Sequence, residues 1–434
     1  MKRRLLPILM TLVLVCALPI WAAFVTSGDV TNPLVCTAGA TSSEESAVDK
    51  LKLAISRGVD AQLTEDIEIT QTLYVERSMT IDLNGHVLKM TGNSSVLRVK
   101  KDGPHPVTLT ITDSRPQNPH TGSYENLPAG GVITGGEGTD LTGIYNVGGA
   151  VFLENDTTLK LEGGTITGNS SRGSVFINGA TFVMTGGTIT GETVGVRNNV
   201  GTFTMAGGRI TGCSDRGVYV YNGNMTMSGT AYIGENPNAR REDIYVYESD
   251  HKYTDLSVTG GTIEGKVRIV FLESLGPTQK DLKAAANSVV KEQGVFDGHI
   301  KVEKGTSGTC VDYNSVNFID EVAKTRTLKL VLQPNVVEKP ETPTTVNGRE
   351  FMYWAKEGAS EAWDFNTVIE VPLTLYAVRT PASSSGGYYY YHPTTDTKTT
   401  DTKGSPKTAD PGVALYAALS LLSLTGLTCT TKKR

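Results

Sequence analysis

The carboxylates whose spacing best suits joint chemistry are Glu192 and Glu235, each directly after the glycine that closes a short repeated motif. Glycoside hydrolysis needs such a pair, one group to protonate the leaving oxygen and the other to attack or to activate water. The two stand about 5 Å apart for retention and about 6.5–9.5 Å apart for inversion. Asn169, Cys213 and Lys266 hold the same place in other copies, so Glu192 and Glu235 fall two copies apart. With about 4.8 Å between stacked strands, that is about 9.6 Å, the limit of the inverting range. Nothing else in the column supports the pair, and a glutamate beside a turn glycine is ordinarily solvated. Asp113, Asp140, Asp156 and Asp215 lie in turns or loops without a shared register. The expectation is a chain without catalytic residues, Glu192 and Glu235 being the alternative.

Metal and thiol chemistry have equally little support. Cys36, Cys213 and Cys310 lack the short spacings of a zinc site or a disulfide framework. No stretch carries the acidic spacing of a calcium loop. The sequence therefore implies no cofactor and no metal. The net charge of −5 argues against nucleic acid as a partner held by a basic surface.

The elements that would position these residues are repeats. Gly163-Gly164-Thr165-Ile166-Thr167-Gly168 returns as Gly186-Gly187-Thr188-Ile189-Thr190-Gly191 and as Gly207-Gly208-Arg209-Ile210-Thr211-Gly212. A degenerate copy runs from Gly229 to Gly234, another copy starts at Gly260, and an earlier one starts at Gly130. From Gly163 the steps are 23, 21, 22 and 31 residues. A period near 22 suits one turn of a β-solenoid. Aligned copies give apolar columns: Leu161, Met184, Met205, Met227, Val258; then Leu159, Phe182, Phe203, Met225, Leu256. Ile166, Ile189, Ile210 and Ile263 form a third column, and Val175, Val196, Val218 and Ile244 a fourth. Alternation within each strand buries one side and wets the other. Asn178, Asn199 and Asn222 recur beside a turn, as an amide ladder or as exposed turn residues.

This pattern resembles right-handed parallel β-helix proteins of the pectate-lyase-like group over roughly residues 60 to 270. The resemblance implies a mainly β chain. Met79–Leu88 and Val107–Asp113 read as early rungs. Ser43 to Arg57 reads as an amphipathic helix stopped by Gly58, which would cover the open end of the stack. The cap and solenoid are expected over 41–270 and a mixed connecting segment over 271–324. Within that segment the repeat dissolves after Arg268, and a helix begins with Thr278 as N-cap and stops at Gly294.

Phe351-Met352-Tyr353-Trp354, Trp363-Asp364-Phe365-Asn366-Thr367 and Leu373-Thr374-Leu375-Tyr376-Ala377 resemble the internalin B-type repeat, a small β-grasp-like module of bacterial surface proteins. It is placed at 325–380. Arg379 stands where that family usually has Trp. Residues 381–404 are polar except for Tyr388 to Tyr391 and read as a flexible wall-spanning linker.

Ser405, Pro406, Lys407, Thr408 and Ala409 precede an apolar run, Val413 to Leu427, and a basic tail, Lys432-Lys433-Arg434. The segment 405–434 resembles the sorting signal of Gram-positive wall proteins. It implies a sortase as partner, whose cysteine attacks the Thr408 carbonyl before a peptidoglycan cross-bridge amine resolves the acyl-enzyme. Residues 1–23 read as a secretory signal peptide cleaved at Ala23: a basic start, an apolar run, then small residues. Removing both ends leaves 34 basic and 44 acidic residues, a net charge of −10. The membrane would be met only through these two apolar segments, before sorting. The functional expectation is a wall-anchored adhesin or glycan-contacting display protein, with a host or environmental glycan or protein as ligand. A surface polysaccharide lyase or glycosidase is the first alternative, and a structural wall protein without a ligand is the second.

Overall fold

A computed structural model describes residues 34–36, 46–140, 146–235, 242–249, 256–289, 295–305 and 309–381. The protein is mainly β, a parallel β-solenoid with three strands per turn. One complete turn is Thr181–Met184, Thr188–Thr190 and Val194–Asn199, and each strand pairs in parallel with its equivalents in neighbouring turns. The first strand of each turn builds face one, a nine-stranded sheet; the second and third build faces two and three.

The apolar columns stand in the expected register. Leu159, Phe182, Phe203, Met225 and Leu256 are opposite one another on face one, as are Leu161, Met184, Met205, Met227 and Val258. All ten are buried, and they alternate with outward Thr, Val, Lys and Asn. The early rungs pair likewise, Met79 with Leu109 and Ile81 with Ile111. Face two carries the isoleucine column, with Ile233 filling the gap between Ile210 and Ile263.

Helix α1, Ala47–Arg57, begins at the Ser46 N-cap and ends at Gly58, whose φ of 67° is cheap only for glycine. Ala47, Leu51, Ala54 and Ile55 bury its inner side in the solenoid core, which closes that end of the stack. Helix α2, Gln279–Ser288, has a reciprocal cap between Thr278 and Asp281. It ends at Val289, and Gly294 lies outside the described residues. Leu282, Ala285 and Ala286 pack on the same core.

The repeat does not dissolve after Arg268. Thr262–Phe271 pairs with Val295–Lys304 over all ten residues in parallel, so each strand serves faces two and three without a corner. Gly265 and Gly298 face each other where the corner is lost, and a Cβ on Gly298 would overlap the Gly265 carbonyl oxygen. Val267, Ile269, Phe296, Ile300 and Val302 keep the inward alternation. Antiparallel strands Cys310–Asp320 and Thr325–Leu332 follow, and Leu373–Arg379 adds in parallel to the first of them. Phe351–Ala355 completes this sheet against Leu373–Arg379.

Val316, Phe318, Val331, Trp354, Ile369 and Leu375 form a second, smaller core, with Phe318 edge-on to Trp354. Arg379 is bidentate to Asp320 (2.5 and 3.1 Å) with both side chains buried, and its Nη1 donates to the Arg349 carbonyl. These hydrogen bonds hold the Asp320 carboxyl below the ordinary carboxylate range. A buried ion pair thus ties the end of Leu373–Arg379 to the end of its parallel neighbour, Cys310–Asp320.

Asn199 donates to Asn178 (3.2 Å), whereas Asn222 sits one residue further on, in the corner, and bonds to Ser249. That corner position is left-handed in three successive turns: Gly179 (φ 63°), Val200 (φ 58°) and Asn222 (φ 47°). A β-branched residue pays there for a Cβ too close to the carbonyl. Val200→Asn, copying the next turn, is expected to stabilise the protein by about 1 kcal/mol in a denaturant titration. A loss of stability would mean that Val200, 59% exposed, gains more from packing than it loses in the backbone.

Candidate functional site: an aromatic and cationic face

Gly191 (φ 69°) turns the chain so that Glu192 enters the corner between faces two and three, where Asn169 and Cys213 stand in the neighbouring turns. Glu192 is 1% exposed. Its oxygens accept from the Asn169 side-chain amide (2.9 Å) and backbone N–H (3.1 Å), and the Ser174 hydroxyl lies beside it. Burial outweighs those hydrogen bonds and pushes the carboxyl up to about 7. Burial also pushes the Cys213 thiol up to about 12. The expectation of a solvated turn glutamate was wrong: the residue after the glycine faces inward.

Glu235 is not in that column. Tyr232, Ile233 and Gly234 pair with Arg209, Ile210 and Thr211, so the degenerate copy has one extra residue in the Ser228–Thr230 turn. Glu235 therefore occupies the glycine position, opposite Gly212, and is itself left-handed (φ 54°). Its side chain is exposed and pairs with Arg209 at 3.2 Å. One carboxylate lies within the corner and the other in solvent, so the two share no substrate position.

Three of the four aspartates serve corners and ion pairs. Asp113 accepts from the backbone N–H groups of Gly85 (2.7 Å) and Gly131 (2.6 Å). Asp215 pairs with Arg216, and Asp156 with Lys101. Among the described residues no three His, Cys, Asp or Glu side chains are grouped to hold a metal ion.

The densest outward chemistry lies on face three. Tyr74, Arg98, Phe152, Phe176, Arg197, Tyr219, Tyr245, Arg268 and Lys301 are successive partners in one register column. Every position is aromatic or cationic. The short hairpin Thr139–Asp140 with Asn146–Val147 brings Val147 over Phe152 and Phe176, which are buried. From Arg197 onward the column is open to solvent, with side chains half-buried.

Within that part the Arg197 guanidinium lies over Tyr219 (4.6 Å), Tyr219 packs tilted against Tyr245 (5.3 Å, 31°), Arg216 lies over both rings (5.4 and 4.4 Å), and Arg268 approaches Tyr245 (5.8 Å). Two residues along, Tyr221 and Tyr247 are stacked at 5.6 Å and 4°. Cation–π contacts hold the Tyr219 and Tyr245 rings, and stacking holds Tyr221 against Tyr247.

Beyond these rings lies a cleft of about 260 Å³ lined by Glu242, Lys266, Val267, Arg268, His299 and Lys301. Arg268 binds Glu303 (Nε, 2.7 Å) and Glu242 (3.3 Å), and Lys301 binds Glu303 (2.9 Å). Burial opposes ionisation of Glu303, but Lys301 and Arg268 outweigh it and hold its carboxyl below the ordinary range. His299 meets Asp312.

Sequence reasoning passed over this face, although its signal was within reach. The aligned Val196, Val218 and Ile244 column puts Arg197, Tyr219 and Tyr245 one residue further on, on the opposite side of the strand. Ser405, Pro406, Lys407, Thr408, Ala409 and the Ala23 cleavage position lie outside the described residues. Among those described, no helix is long and apolar enough to cross a membrane. No protein-family model matches the chain, nor does any curated protein or solved structure compared with it.

Proposed function

We propose that the chain is a secreted surface protein, sorted to the cell wall, that displays its solenoid as an adhesin or glycan-contacting element without catalysis. The ligand-contacting part of the reading rests on the open column from Arg197 to Lys301 and the tyrosine stack beside it. Tyrosine and arginine are among the residue types that most often carry binding energy, tyrosine because it buries much area with few rotors and arginine because its planar fork makes several directed hydrogen bonds. Repetition at about 4.8 Å suits a ligand that itself repeats. The wall-anchoring part rests on Pro406-Lys407-Thr408 ahead of the apolar run and basic tail.

Thr408→Ala, expressed in a sortase-bearing Gram-positive host, is expected to move the protein from the wall fraction to the membrane and medium. Unchanged wall retention would remove Thr408 as the acyl donor and the anchoring proposal with it.

A further inference from the structure

We infer that Tyr221 and Tyr247 are a modification site, where a haem peroxidase and hydrogen peroxide join the two phenol rings as a dityrosine between successive turns. The two residues are direct partners in the parallel ladder of face three, so their side chains leave the same side of the sheet at the same height. Their rings are 5.6 Å apart and within 4° of parallel. Equivalent ring edges therefore lie side by side, and the hydroxyl ends stand away from the sheet. Both side chains are half-buried, open to solvent at one end and held by the strands at the other. Bond formation needs the reacting carbons within about 3–3.5 Å, an approach that rotation of two partly exposed side chains supplies.

The column limits the reaction to one bond. Asn199 precedes Tyr221 in the register and buried Val270 follows Tyr247, and neither side chain can couple. The neighbouring pair is built differently. Tyr219 and Tyr245 are tilted by 31°, and Arg197, Arg216 and Arg268 lie against their rings. A cation over a ring is attracted to its π electrons, so removing one of them forfeits that attraction.

Each phenol gives up its hydroxyl proton and one electron and becomes a neutral phenoxyl radical, with spin shared onto the ring carbon next to the C–O carbon. The two radicals join through those carbons. Each carbon then releases its hydrogen as a proton, a phenoxyl oxygen takes it up, and both rings are restored. One peroxide accepts the two electrons and two protons and leaves as two waters. The new bond ties the 31-residue turn that begins at Gly229 to the turn before it. Like a disulfide, it closes the intervening chain into a loop and so restricts the unfolded chain more than the folded one.

The test treats the full chain, dilute enough to stay monomeric, with a haem peroxidase and hydrogen peroxide. Peptide mapping of the monomer is expected to find Tyr221 joined to Tyr247, with an intact mass lower by two hydrogens. Tyr221→Phe and Tyr247→Phe keep the ring and its packing. Each is expected to lower dityrosine fluorescence of the monomer by about ten-fold or more, because a held pair reacts far faster than free rings meet. Tyr353→Phe, on a half-buried tyrosine of the second core, is expected to leave it unchanged. The cross-linked monomer is expected to unfold at higher denaturant than the untreated chain.

Coupling that maps to Tyr219 and Tyr245, or only between separate molecules, would overturn the assignment. So would a monomer yield that survives either variant at Tyr221 or Tyr247, or one as high in denaturant as in the folded protein. No coupling under conditions that oxidise free tyrosine would overturn it as well. If circular dichroism showed either variant unfolded, the mapping and the comparison with denatured wild type would decide alone.

Discussion

Phe203→Ala is expected to destabilise the protein by about 3–5 kcal/mol, because truncating a buried aromatic forfeits its transfer energy and leaves a cavity. Phe203 is fully buried and stacks on Phe182 at 4.9 Å with the rings 12° apart. On its other side the register places Met225, so the void would open between two occupied rungs. The strands on either side are fixed by parallel ladders and have little room to collapse. Thr188→Ala, on the outward side of a neighbouring strand, is expected to change stability by well under 1 kcal/mol. Comparable losses in matched denaturant titrations would mean that the two side chains do not differ in facing.

Glu192→Gln is expected to change how stability depends on pH. An unfolded glutamate ionises near its ordinary value of 4.5, whereas buried Glu192 keeps its proton until about 7. Between those values the unfolded chain binds fewer protons than the folded one, so stability falls as pH rises. The penalty is absent below about pH 4.5, grows up to about pH 7 and is constant above it. Its size is about 3 kcal/mol by linkage. The amide variant carries no charge at any pH and so escapes the penalty. It should be the more stable protein at pH 8, and no better than wild type at pH 4.5, where it loses one acceptor toward Asn169. Parallel stability curves for the two proteins between pH 4.5 and 7 would show that Glu192 ionises normally.

The stack was legible in the sequence because its chemistry repeats. Phe182, Phe203 and Met225 share a column since each must fill the same interior position, and a period near 22 exposes that directly. Corners were less legible. The motif copies were aligned by their closing glycines, but the strand ladders align the central isoleucines, and one added residue before Ala231 shifts Glu235 out of the column. Glu192 was misread because a left-handed glycine reverses the facing of the next residue, which simple alternation does not anticipate.

The copy at Gly260 marked the start of Thr262–Phe271, but its continuation past Gly265 and the whole of Val295–Lys304 were missed because the glycine signal fades where the corner straightens. Their inward alternation survives, but without the motif it had nothing to be aligned against. Arg379 was visible as a departure from the resembling modules, and only the fold shows that Asp320, 59 residues away in sequence, is what it answers.

Helix α1 closes one end of the stack and α2 packs near the other, so neither cap depends on how many turns lie between them. Length is therefore a free variable. Duplicating one internal turn, such as the 21 residues from Gly186 to Ala206, would add about 4.8 Å and one more place in every external column. Reach and valency can grow together in such a molecule, by tandem copying of a short segment and without redesign of either end.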